Sequence, residues 1–123
     1  VPRGLRGQDW AAILSTQPFI RYDRGSFGGR QVDRFLRAAH ITPHDVCELD
    51  ELEAILALVA HGVGVALLPQ AKSQPRWPAA VRTINLGDHT FHRDIGLVHR
   101  AMHHMSEAAQ RLAAMICSAY GKP

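Results

Sequence analysis

The chain is poor in cysteine, in aromatic residues and in surplus charge. Two cysteines in 123 residues, Cys47 and Cys117, stand far apart and outside any metal-ligand spacing. They support neither a disulfide framework nor a cysteine-built zinc site, and they fit two thiols in a reducing compartment. The net charge is only +3, with the arginines scattered between acidic residues. No basic stripe with interleaved aromatics stands out, which argues against direct nucleic-acid binding by this segment. No apolar run approaches the roughly 20 residues that cross a bilayer, and no secretory leader opens the sequence. These features point to the cytoplasm. What remains is an ordinary globular balance, 46% hydrophobic and 20% charged, in a length that suits one domain with a core of its own.

Strands and helices alternate along the chain. "DWAAILSTQ" reads as a short helix capped by Asp9, and "PFIRY" as a strand opened by Pro18. After the turn "DRGSFGG", Val32, Phe35, Leu36 and Ala39 recur at helical spacing until the stop near "HITP". "DVCEL" reads as a second strand. "DELEAILALVAHG" has the form of a helix capped by Asp50, with Glu53 completing a capping box and Gly62 closing it. "GVALLP" is apolar throughout, as in a strand buried on both faces. A polar, proline-rich loop is expected over 70–80, then strands at "VRTINL" and "RDIGLVHR" around the turn "GDHTFH". Ser106 caps a final helix whose apolar face comprises Ala109, Leu112, Met115 or Ile116, and Ala119. This order predicts an α/β fold, a mostly parallel sheet with helices on both faces.

The residues with chemical potential leave alternatives open. "GSFGG" lies between a strand and its crossover helix, the place where open α/β sheets bind ligands, and helix-start amides there favour an anion. An ordinary capped glycine turn explains the same letters. Its glycine spacing is not that of a dinucleotide fingerprint, and no Gly-Lys-Ser/Thr follows as in a phosphate loop. Of the eight histidines, His103 and His104 are neighbours that regular structure would point apart, and His89 and His92 flank a turn beside Asp88 and Asp94. None has recognised metal-ligand spacing, so surface histidines are the expectation. No G-x-S-x-G elbow is present, and Cys47 falls within an expected buried strand. An enzyme is therefore disfavoured.

The order and spacing of three stretches carry a resemblance. "QPFIRYDRGSFGGRQVDRFLRAAHITP", "ELDELEAILALVAHG" and "GVGVALLP" together resemble the second half of the effector-binding region of LysR-type transcriptional regulators. The resemblance implies a lobe like those of periplasmic binding proteins, where two α/β lobes hold a small molecule between them. Residues 1–105 would be the second lobe, and 106–123 a terminal helix that in the family packs back on the first. DNA would be read only through a helix-turn-helix domain outside this stretch, and neither cofactor nor metal is implied. Family ligand contacts would map to Ser26, Phe27 and Gly28, with another near Leu52. Tyr22, Arg24 and Asp50 are expected at the same rim on physical grounds, Arg24 either pairing with an effector carboxylate or lying solvated. The expected partners are thus a small effector, with a carboxylate as one option, and a second copy of the chain covering the terminal helix. Two rivals are a transport-type solute-binding lobe and a small α/β enzyme using Cys47 or His61.

Overall fold

Phe19 and Ile20 leave one strand in opposite directions, and a separate apolar cluster forms around each. The structure is a computed structural model that describes residues 1–7, 9–70 and 77–120. It divides into two compact units, Val1–His92 and Arg93–Pro123.

The first unit begins with helix α1 (Trp10–Thr16), where the Asp9 carboxylate accepts from the Ala11 and Ala12 amides as expected. Strand β1 (Pro18–Tyr22) follows, then helix α2 (Phe27–Ala38), strand β2 (His44–Leu49) and helix α3 (Leu52–Ala60). The two strands run parallel, with Tyr22 opposite Leu49 and a register irregularity between Phe19 and Ile20. A parallel pair needs a crossover, and α2 supplies it. Phe19 packs with Ile13 and Leu14 of α1, Val32 and Leu36 of α2, and Val65. Ile20 packs with Ile55 and Val59 of α3 on the other face. Helices therefore cover both faces of β1, as the alternation of elements predicted, while β2 is half-buried only at Cys47 and Leu49.

Helix α2 ends where the sequence placed its stop: His40 adopts a φ of 54° and the Ile41 amide reaches back to the Leu36 carbonyl at 2.9 Å. Gly62, at a φ of 78°, follows the last turn of α3.

Three expected strands and one expected cap differ from what the structure holds. The stretch "GVALLP" contributes a single parallel bridge. The Val65 amide donates to the Pro18 carbonyl at 2.8 Å, and the Ile20 amide donates to the Val65 carbonyl at 2.9 Å. Its side chains still alternate, Leu67 against the first cluster and Ala66 and Leu68 against the second. Burial of the apolar letters was legible; continuation of the backbone ladder was not. "VRTINL" likewise makes only one antiparallel bridge, between Val81 and Pro2. "RDIGLVHR" forms no strand and is exposed along its whole length. β-propensity is realised only where a neighbouring strand offers its edge, which local sequence does not encode. The expected turn between them is a 3-10 turn over Gly87–His89. At α3 the N-cap is Glu51 rather than Asp50, and no side chain closes the cap.

In the second unit, helix α4 (Glu107–Tyr120) has its first turn capped by Ser106, whose Oγ accepts from the Ala109 amide at 3.3 Å. Gln110 donates from its side chain to the Met102 and Met105 carbonyls, tying the preceding 3-10 turn to the helix. Ala113 is the helix's buried residue, with Ala109 and Ile116 half-buried on the same face. Leu112 and Met115 are 58% and 68% exposed. None of the described helices is long and apolar enough to cross a membrane.

Candidate functional site

Parallel strands deliver their carboxyl ends to one edge, and the helix that follows each strand starts there. Here those ends are Tyr22 and Leu49, and the Asp23 amide extends their pairing by donating to the Leu49 carbonyl at 2.9 Å. The turn 23–26 and the connection 50–51 are thereby held side by side, with α2 and α3 beginning just beyond them.

The turn is locked by its own polar groups. The Asp23 carboxylate accepts from the Gly25 amide at 2.9 Å. The Ser26 hydroxyl donates to the Asp23 carbonyl at 2.7 Å and accepts from the Gly29 amide at 2.9 Å. Ser26 thus serves as the cap of α2, with donor and acceptor both engaged locally. The adjacent glycines let the helix start press against the strand end. A Cβ on Gly29 would lie 1.8 Å from the Asp23 carbonyl oxygen, and one on Gly28 would lie 2.4 Å from the Tyr22 ring.

Of the residues singled out at this rim, Tyr22 is half-buried against the second apolar cluster and Gly28 is buried beneath its ring. Phe27 is 56% exposed at the start of α2. Leu52, half-buried, opens α3, and Asp50 lies exposed in the connection before it. Arg24 lies at the surface, its side chain 46% exposed, and is already paired. Its guanidinium pairs with Glu48 and Asp45, and its backbone amide donates to the other Glu48 oxygen at 2.8 Å. Desolvation works against its charge, but Glu48, Asp45 and Asp33 outweigh it and raise its pKa above the ordinary arginine value.

A family model described as LysR substrate binding domain matches residues 3–120. The chain belongs to the LysR substrate binding domain family. No curated protein matches the chain, and no solved structure does. Membership makes this LysR domain the effector-binding part of a LysR-type transcriptional regulator, with a periplasmic-binding-protein-like α/β fold. Such a domain is a regulatory ligand-binding unit rather than a catalytic one.

The LysR domain also holds an ion network that the sequence did not disclose. Arg21 points to the same sheet face as Phe19, its guanidinium 5.1 Å from that ring, and its side chain is 5% exposed. It donates to Asp33 on α2 at 2.8 Å and to Asp45 on β2 at 3.0 Å. A signal for it did exist: an arginine at an inward-facing position of "PFIRY" must meet carboxylates or not be buried at all. Asp33, among the apolar residues of α2, is one such carboxylate and Asp45 on β2 the other.

Among the described residues no group of three or more His, Cys, Asp or Glu side chains is placed to hold a metal ion. His103 and His104 do not diverge as regular structure would have them. They sit on the 3-10 turn over Met102–His104 with ring centroids 3.9 Å apart. Cys47 is half-buried against the cluster around Ile20, and His61 is exposed, with Nδ1 2.8 Å from the Ala57 carbonyl.

Proposed function

We propose that this LysR domain senses a small metabolite at the carboxyl edge of β1 and β2, with Tyr22, Arg24, Ser26, Phe27, Gly28, Asp50 and Leu52 forming its wall. The observation that carries the reading is the joining of the two strand ends, through the Asp23 amide and the Leu49 carbonyl, beneath the starts of α2 and α3. Tyr22 and Phe27 offer aromatic surface there, and the fixed turn keeps the ordering cost of binding low. The effector acts by binding one arrangement of two lobes better than another, and it shifts the equilibrium only by that difference in affinity. In the intact cytoplasmic regulator the shift passes through an oligomer to a helix-turn-helix domain on DNA. No covalent step and no cofactor enter.

Self-association belongs to the same reading. Leu112 and Met115 lie one helical turn apart on α4, and both are more than half exposed. Apolar surface of this kind favours cover by a second copy.

The test is a thermal-shift screen of small metabolites on the full-length regulator, followed by titration of any hit into Phe27→Ala. Phe27 is exposed, so its loss leaves the melting temperature nearly unchanged and weakens the hit by about fivefold or more. A hit whose affinity ignores Phe27→Ala and a matching Leu52→Ala places the effector elsewhere.

A further inference from the structure

Glu48 is seated at Arg24 as the carboxylate of a ligand would be. One of its oxygens accepts from the Arg24 backbone amide at 2.8 Å and the other from the Arg24 guanidinium. It spans an amide and a cation of the same residue, the pairing of donors that charge-assisted recognition of a carboxylate uses. Asp45 takes a second guanidinium nitrogen of Arg24, and Asp33 stands 3.9 Å from its Nε. Those two aspartates are shared with Arg21. Two guanidinium groups therefore face three carboxylates, and the group carries one net negative charge. The carboxylates of Asp23, Asp50 and Glu51 add to the negative side in the turn and the connection. Arg30, the next cation along the chain, turns its guanidinium onto the Gly25 carbonyl.

We infer that Glu48 is a specificity-determining residue of the proposed effector site: it fills the anion position at Arg24, so that the effector turns a group without negative charge towards that position. The inference rests on the reading of this edge as the effector site. An incoming carboxylate has to displace Glu48 and then face Asp45 and Asp33 without gaining a bond that Glu48 did not already make. An amide, hydroxyl or amine meets no such competition, because the carboxylates around Arg24 accept hydrogen bonds from it.

The experiment compares full-length wild type with Glu48→Gln, titrated calorimetrically with the isosteric pairs benzoate and benzamide, and succinate and succinamide. In wild type each amide binds at least as tightly as its carboxylate. Glu48→Gln tightens carboxylate binding roughly tenfold relative to the matching amide, since a charge-assisted position becomes open and one accepting carboxylate is lost to the amide. If Glu48→Gln does not fold, Glu48→Asp is used. It keeps the charge, draws it back from the Arg24 amide, and moves carboxylate affinity the same way by less. Carboxylates that bind wild type more tightly than their amides, or that ignore both substitutions, overturn the role of Glu48; if their binding still weakens in Phe27→Ala, the edge remains the ligand site. Binding of no probe to any of the proteins overturns the inference alone, since the effector-site reading is tested separately by the response of a screened hit to Phe27→Ala and Leu52→Ala.

Discussion

Tyr22 rests its ring so closely on Gly28 that a Cβ there would stand 2.4 Å from Cε1. One residue on, the obstacle changes from side chain to backbone: a Cβ on Gly29 would stand 1.8 Å from the Asp23 carbonyl oxygen. A ring can tilt, whereas a carbonyl that also accepts from Ser26 moves only with the turn. Alanine in a helix gains up to about 1 kcal/mol over glycine, and overpacking costs about 1–3 kcal/mol or more. Gly29→Ala is therefore expected to destabilise by about 3 kcal/mol and Gly28→Ala by about 1 kcal/mol, measured by urea unfolding. Equal losses at the two positions would contradict the distinction.

Capping separates Ser26 from Asp50. Ser26 accepts from the Gly29 amide, and its replacement by alanine is expected to cost about 1 kcal/mol. Asp50 is exposed and stands outside the cap of α3, so Asp50→Ala is expected to stay within about 0.5 kcal/mol of wild type. Denaturation midpoints of the two variants check both statements.

Arg21 is buried, while its partners Asp33 and Asp45 keep about 30% of their side chains in solvent. Removing a fully buried partner costs about 3–5 kcal/mol; contact of both aspartates with water lowers the expectation for Arg21→Ala to about 2–3 kcal/mol. Arg21→Lys keeps the charge and loses the planar fork that reaches two carboxylates, so an intermediate loss is expected. Thermal unfolding of the pair supplies the comparison, and a lysine variant as stable as wild type would show that charge alone suffices.

The exposed pair on α4 bears on self-association. A double change, Leu112→Asp with Met115→Asp, adds charge to a face that is already in water in this structure, so the helix itself should persist. Sedimentation of the full-length protein is expected to shift towards smaller species, with the circular dichroism of the helices retained. An unchanged distribution of species would remove α4 from the contact between copies.

Much of the framework was legible without coordinates because its causes are local. Asp9, Ser26 and Ser106 cap helices through atoms within three residues of themselves. The period of Val32 and Leu36 on α2 and the alternation of Phe19 and Ile20 on β1 follow from the geometry of one helix and one strand. Tyr22, Ser26, Phe27 and Gly28 fell at one strand end for the same reason: a strand, a turn and a helix in that order leave their junction at the carboxyl edge.

What chain order left open depended on residues far apart in sequence. "RDIGLVHR" has the composition of a strand, and Val98 is nonetheless 97% exposed, because a ladder needs a partner whose edge is free and in register. Arg24 looked like an available cation until Asp45 and Glu48, more than 20 residues away, arrived beside it. Propensity and patterning act over a few residues and decide where helices begin and end and which side chains turn inward. Coulomb and hydrogen-bond energies depend on distances set by packing, so the pairing of strands and the availability of each charge were settled by the fold.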